Sequence, residues 1–103
     1  MIDKEIDFDA VFAIDDKTAM GIIKCLSLNK IKIPDQVAVV GFSNAAYSKY
    51  LSPSLSSIDQ STDLFGTEII RLFLEEKKMK KSSLDYDFSQ IKIPTHFIKR
   101  ESF

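Results

Sequence analysis

The sequence predicts an α/β fold with a mostly parallel sheet and helices on both faces. Two short apolar runs, 10–14 and 37–40, have the continuous hydrophobic character of strands that are buried on both faces. The segment 17–29 follows the first run and carries apolar residues at helical spacing. Because strands and helices alternate, we expect parallel strands joined by right-handed crossovers.

The elements take their limits from capping and turn residues. Asp15 and Asp16 follow the first strand, and aspartate is a good cap for the helix predicted over 17–29. Two sides of that helix are expected to be buried, and we interpret Cys25 as a buried apolar residue within it. The remaining predictions are a helical turn over 45–50, strands over 55–58, 88–93 and 96–99, a helix over 61–78 capped by Ser61 or Thr62, and a loop over 82–86.

The composition is that of one globular domain without a strong charge. The 103 residues carry 14 basic and 15 acidic side chains, a formal net charge of −1. A free-standing DNA-binding module normally has a basic stripe, so this balance counts against one. No apolar run is long enough to span a membrane, and residues 1–7 lack the pattern of a signal peptide. We therefore expect a cytoplasmic protein with no membrane partner.

Catalytic and metal-binding patterns are absent from the sequence. The three glycines are scattered at positions 21, 41 and 66, so they form no phosphate-binding loop. The single cysteine and the single histidine, Cys25 and His96, are far apart and offer no metal-ligand spacing. We predict that the chain is not an enzyme, needs no cofactor and has neither catalytic nor metal-binding residues.

Polar residues follow both strands at the point where each one ends. Asp15 and Asp16 come after the first strand, and Ser43 and Asn44 come after the second. Ligands of open α/β sheets bind beyond the carboxyl ends of the strands. Carboxylate, hydroxyl and amide groups there would suit a hydroxyl-rich ligand such as a sugar. The alternative is that these residues serve only as helix caps and turn formers.

Four segments together resemble those of LacI-type bacterial transcription regulators. They are DAVFAIDD at 9–16 with AMG at 19–21, IPDQVAVVGF at 33–42, LSPSLSSIDQ at 51–60, and the closing IPT at 93–95 with RES at 100–102. The resemblance spans residues 9 to 102 in order and with similar spacing. It implies a partial periplasmic-binding-protein-like (type I) domain, in which two α/β lobes enclose an effector.

The resemblance also implies which part of that domain the chain supplies. Residues 1–103 would be a C-terminal fragment of the effector-binding and dimerisation domain, mainly its C-terminal lobe. The helix over 61–78 would belong to the other lobe, with crossovers at 55–60 and 90–98. The family's N-terminal helix-turn-helix, through which the intact protein contacts DNA, would be absent.

Four ligand-binding residues are carried over by position. Asp15 matches a position that is often Asn and can touch the effector, whereas the adjacent Asp16 is interpreted as a cap. Ser43 stands where the family commonly has an aspartate that binds ligand hydroxyls. This departure removes a charge, and Asn44 is expected to take over part of the role. Gln60 matches a position on the crossover that lines the cleft.

The resemblance further implies a homodimer, with Met20, Ile23 and Leu51 at its interface. The predicted function is sensing of an effector, a sugar or related small molecule, by a transcription regulator. The alternative is the solute-binding component of a sugar uptake system. For the isolated chain we expect weak or absent sugar binding, and self-association through the apolar face of the 61–78 helix.

Overall fold

The computed structural model describes residues 7–79 and 90–103, and the chain divides into two compact units. The first unit extends to Asp59 and resumes at His96, and the second comprises Gln60–Thr95. The elements are β1 (Ala10–Phe12), α1 (Asp16–Leu28), β2 (Ala38–Phe42), a 3₁₀ turn (Ser48–Tyr50), β3 (Ser56–Asp59), α2 (Thr62–Met79) and β4 (His96–Ile98).

The first unit contains a four-stranded sheet in the order β1-β2-β3-β4. β1 and β3 both run parallel to β2, and β4 is antiparallel to β3. The prediction of an α/β fold with a mostly parallel sheet is therefore confirmed. β2 is longer than predicted at its carboxyl end, because Gly41 and Phe42 still pair with β3 opposite Ser57 and Ile58.

The core of this unit lies between the sheet and α1. Its buried apolar residues come from α1, β2 and the segments beside them, and they are Ala13, Ala19, Ile23, Leu26, Val37, Val39 and Leu55. The other face of the sheet is more open, since Phe12 is 64% exposed. The prediction that the two strands are buried on both faces is therefore wrong, since Ala10 and Phe12 of β1 are exposed and β2 is fully buried only at Val39 and Gly41. Cys25 was also predicted to be buried, but it lies on the exposed side of α1.

The second unit contains α2, the clearest helix of the sequence. Arg71 forms ion pairs with Glu68 at 2.7 Å and Glu75 at 2.6 Å, one turn away on each side. Six large apolar side chains of α2 are about half exposed: Leu64, Phe65, Ile69, Ile70, Phe73 and Leu74. Residues 90–93 are not a strand as predicted, and the rest of that prediction, with the 82–86 loop, lies outside the described residues.

Two classes of feature are absent from the described ranges. No helix in them is both long and apolar enough to cross a membrane. The same ranges contain no group of histidine, cysteine and acidic residues that could hold a metal ion.

Candidate functional site

The candidate site lies where β1 and β2 end, at the N-terminus of α1. Asp15 is the N-cap of α1, and its exposed carboxylate accepts a hydrogen bond of 2.7 Å from the backbone N–H of Thr18. This hydrogen bond is the main reason why the pKa of Asp15 lies below its usual value of 3.8. Asp15 is therefore an anionic group on the surface of the site.

Asp16 has a different position from the one that the sequence predicted. It was interpreted as a helix cap, but it is the first residue of α1 and its side chain is fully buried. Its Oδ1 accepts a hydrogen bond from the Ser57 hydroxyl at 2.6 Å. Its Oδ2 accepts one from the backbone N–H of Ala45 at 2.7 Å and one from the Ser48 hydroxyl. A buried carboxylate with three donors joins α1, the loop after β2 and β3 into one unit.

Gly41 explains how the Asp16 carboxylate can enter the sheet. A Cβ atom at position 41 would lie 2.1 Å from Oδ1 of Asp16 and 3.0 Å from Cδ2 of Leu55. Both partners are buried, so neither can move away cheaply. Only glycine leaves the space that the carboxylate occupies.

Ser43 and Asn44 form the loop that follows β2, and both have positive φ angles, 109° and 51° respectively. Asparagine tolerates this left-handed region, whereas serine at such an angle carries strain of roughly 1–3 kcal/mol. The backbone N–H of Ser43 donates to the carbonyl of Ile58 at 2.8 Å, and that of Asn44 donates to the Ser57 hydroxyl at 3.0 Å. β3 therefore holds this strained loop through two hydrogen bonds.

The side chains of these two residues differ in their availability to a ligand. The Asn44 amide donates from Nδ2 to Asp59 at 2.9 Å, and its Oδ1 accepts from Arg100 at 2.8 Å. The half-buried Ser43 hydroxyl has no hydrogen-bond partner within residues 7–79 and 90–103. The exposed Asp15 carboxylate and the Ser43 hydroxyl are thus available for further hydrogen bonds, whereas the Asn44 amide is already engaged.

Sequence reasoning missed Tyr47, an aromatic residue at the same end of the sheet. It precedes the 3₁₀ turn and remains 38% exposed. The pKa of its phenol lies above the usual 10.0, first because of partial burial and then because of the negative charges of Asp16 and Asp15. No local sequence pattern marks Tyr47, because its place beside Ser48, whose hydroxyl binds Asp16, follows only from the tertiary contacts.

Hydrogen bonds join the tripeptide Arg-Glu-Ser at 100–102 to β2, to β3 and to the segment before β3. Ser102 is fully buried, donates from its hydroxyl to the Val39 carbonyl at 2.6 Å, and accepts from the Ser56 N–H at 2.8 Å. Glu101 accepts from the Ser54 hydroxyl at 2.8 Å. These contacts give the tripeptide a structural role that the sequence alone did not reveal.

The remaining predicted residues lie elsewhere. Gln60 is the half-buried first residue of the second unit, and its role in a ligand cleft stays a prediction. On α1, Met20 is 40% exposed, whereas Ile23 is only 5% exposed and belongs to the core. Leu51 is half-buried and packs against that core. The predicted dimer contact of Met20, Ile23 and Leu51 stays a prediction, and Met20 is the most exposed of the three.

Known proteins are similar to this chain in sequence and in fold. The family model of the periplasmic binding protein-like domain matches residues 3–103. The HTH-type transcriptional regulator CelR from Thermobifida fusca is 28% identical over 102 residues, which are 99% of this chain and 29% of that protein. The HTH-type transcriptional repressor PurR from Vibrio parahaemolyticus serotype O3:K6 is 38% identical over 72 residues, which are 70% of this chain and 22% of that protein.

Solved structures give the same result. A transcriptional regulator CelR–cellobiose complex has a TM-score of 0.82 at 29% identity and covers 94% of this chain and 28% of its own. The periplasmic binding ribose operon repressor protein from Lactobacillus acidophilus has a TM-score of 0.79 at 33% identity. The match covers 92% of this chain and 34% of that protein's chain.

The chain thus spans less than a third of the length of the curated relatives it matches. Its four motifs had predicted a likeness to LacI-type regulators, and named LacI-family regulators are among its structural neighbours. Because the family model covers almost the whole sequence, this chain belongs to the periplasmic binding protein-like domain family.

Proposed function

We propose that this chain is the effector-sensing and dimerisation part of a bacterial transcription regulator. The observation that supports this most directly is that two polar groups, the exposed Asp15 carboxylate and the half-buried Ser43 hydroxyl, follow the carboxyl ends of two parallel strands. That edge is the usual place for ligands in open α/β sheets. Gln60, on the crossover that follows β3, stays a separate prediction for the ligand cleft of the intact domain.

The proposed ligand is a sugar or a related hydroxyl-rich molecule. Asp15 accepts hydrogen bonds from hydroxyl groups, and the Ser43 hydroxyl both donates and accepts. Serine is neutral and its side chain is shorter than that of aspartate. Ser43 therefore holds a sugar diol less tightly than a carboxylate at the same position would. The CelR structure that this chain resembles is a complex with cellobiose, which makes cellobiose the first ligand to test.

In the mechanism that we propose, the effector favours one arrangement of the two lobes of the intact domain. The dimer then transmits that change to the DNA-binding heads of the intact regulator. Met20 on the exposed side of α1 contributes to the homodimer contact. The chain itself performs no catalysis, binds neither DNA nor membranes directly, and acts in the cytoplasm.

The alternative function is that of a solute-binding component of a sugar uptake system. The relatives favour the regulator, because the curated proteins named above are HTH-type regulators and repressors. The coding sequence upstream of Met1 distinguishes the two. A helix-turn-helix there supports the regulator, and a signal peptide supports the transporter component.

A thermal-shift screen of the complete gene product that carries this sequence tests ligand binding. Cellobiose, ribose and related saccharides are added to the wild type, to Ser43→Ala and to the control Ser27→Ala, which lies on the exposed side of α1. We expect one saccharide to raise the Tm of the wild type and the control but not of Ser43→Ala. Equal shifts in all three proteins would exclude Ser43 from the site, and no shift with any saccharide would contradict a sugar ligand.

A further inference from the structure

Arg100 connects the closing segment of the chain to the loop at the candidate site. Its guanidinium donates from Nη1 to the Leu55 carbonyl at 2.6 Å and from Nη2 to Oδ1 of Asn44 at 2.8 Å. Its backbone N–H donates to the Ser56 hydroxyl at 2.6 Å. The guanidinium is planar and rigid, so two bonds from the same group fix its direction as well as its position.

The hydrogen bonds of Asn44 have a definite polarity. Its amide oxygen faces the cationic Arg100 and its amide nitrogen faces the anionic Asp59, at 2.8 and 2.9 Å. A flipped amide would place its NH₂ group against the guanidinium and its oxygen against the carboxylate. Because both contacts would then be repulsive, the amide has one orientation.

This fixed amide has a consequence for the neighbouring residue. Asn44 is held at a φ of 51°, and the preceding Ser43 at 109°, in a region that serine rarely adopts. Without the two side-chain bonds of Asn44, residues 43 and 44 themselves would retain their backbone N–H bonds to Ile58 and Ser57, and the loop would next be held at Ala45, whose N–H donates to Asp16. The direction of the Ser43 hydroxyl therefore depends on partners that lie far away in sequence.

We propose that Arg100 is a positioning residue for the effector site. Acting through Asn44, it holds the strained Ser43 loop in the conformation that presents the Ser43 hydroxyl to a ligand. This inference rests on the proposed function for its ligand, but its structural step can be measured without one. Asp59, the other partner of Asn44, is the last residue of β3, where the chain leaves the first unit. The conformation of the loop at Ser43 and Asn44 therefore depends on a contact with the last residue of β3.

Residue-resolved hydrogen exchange of the full chain tests the structural step. The variant Arg100→Gln removes the charged fork, and the control Arg71→Gln removes an arginine whose partners are on α2. We expect amide exchange of Ser43 and Asn44 to accelerate about tenfold in Arg100→Gln. Exchange at Ala13, whose N–H donates to Val40, should stay unchanged. Arg71→Gln should alter none of the three.

Two further variants separate positioning from general stabilisation. Arg100→Lys keeps the charge but replaces the guanidinium with a single ammonium group, so we expect an intermediate acceleration of exchange. The same variant tests the proposal if Arg100→Gln does not fold. In an Asn44→Ala background, Arg100→Gln should have no further effect on exchange at Ser43. Exchange that rises equally at Ala13 and Ser43, or an additive effect in the double variant, would overturn the proposal.

The ligand step uses cellobiose as the probe, at the concentrations of the thermal-shift screen on the complete gene product. If the wild type responds, Arg100→Gln should lose most of the shift and Arg71→Gln should keep it. A wild type that does not respond to any saccharide counts against the sugar ligand alone. Unchanged exchange at Ser43 counts against Arg100 alone, so the two failures are distinguishable.

Discussion

At the scale of single residues, Asp16 and Gly41 depend on each other. The Asp16 carboxylate occupies the place of the side chain that Gly41 lacks, and it satisfies Ser48, Ser57 and the backbone of Ala45. The sequence did not indicate that Asp16 and Gly41 are in contact. The partners lie 29 to 41 positions from Asp16, and local patterns carry no information at that distance.

Gly41→Ala should destabilise the chain by about 1–3 kcal/mol, because the added methyl group clashes with a buried carboxylate. The matched control is Gly21→Ala. No atom lies within 4 Å of a Cβ at position 21, and alanine in an exposed helix should stabilise by roughly 0.5–1 kcal/mol. Urea denaturation measures both. Equal effects of the two substitutions would contradict the proposed packing of Asp16.

At the scale of elements, the sequence predicted those whose signals are local. The predicted helix over 17–29 is observed at Asp16–Leu28, because Asp15 caps it and apolar spacing defines its buried face. The predicted burial of β1 was wrong, because the residues of a strand do not determine which elements cover its faces. Asp15 and Ser43 could be proposed for the site from their place at strand ends, and their role stays a prediction, whereas Arg100 and Tyr47 came to notice only through the tertiary contacts.

Asp15 gives α1 a pH dependence whose sign can be stated. Its pKa in the folded chain lies below 3.8, so its contribution to stability is present above that pH and is lost as the pH falls through the folded value. Asp15→Ala should therefore lower the Tm clearly at pH 7 and much less at pH 3. Circular dichroism melts at several pH values measure the difference.

The control for this prediction is Thr18→Pro, which removes the N–H that binds the Asp15 carboxylate. Proline is tolerated in the first turn of a helix. In this background the effect of Asp15→Ala should lose most of its pH dependence. A pH-dependent difference of the original size would mean that another group is responsible.

At the scale of the whole molecule, the second unit determines how the chain behaves alone. α2 leaves six large apolar side chains about half exposed, and exposed patches of this kind favour association. The chain spans 22–29% of the curated relatives named above, and the remainder of such a protein is the natural place for partners of this helix. The sequence predicted this face correctly because its helical spacing is local.

We expect the isolated chain to self-associate through α2, with a sedimentation coefficient that rises with concentration. The double variant Phe65→Lys and Phe73→Lys should shift it toward the monomer. The control Tyr50→Lys, which changes an exposed aromatic residue of the first unit, should not. A wild-type monomer at every concentration, with no binding of an apolar dye, would contradict this prediction.

The central claim is that the ends of β1 and β2 form one side of an effector site. Titration of the isotope-labelled chain with cellobiose, followed residue by residue by NMR, tests it most directly. If the proposed cleft is shared with other parts of an intact domain, as the resemblance implies, this chain alone should bind with an affinity of roughly millimolar or weaker. The account predicts that the largest shift changes occur at Asp15, Ser43 and Asn44, and that Ser43→Ala diminishes them. Changes that spare these residues and concentrate on α2, or a saturable response unaffected by Ser43→Ala, would contradict it.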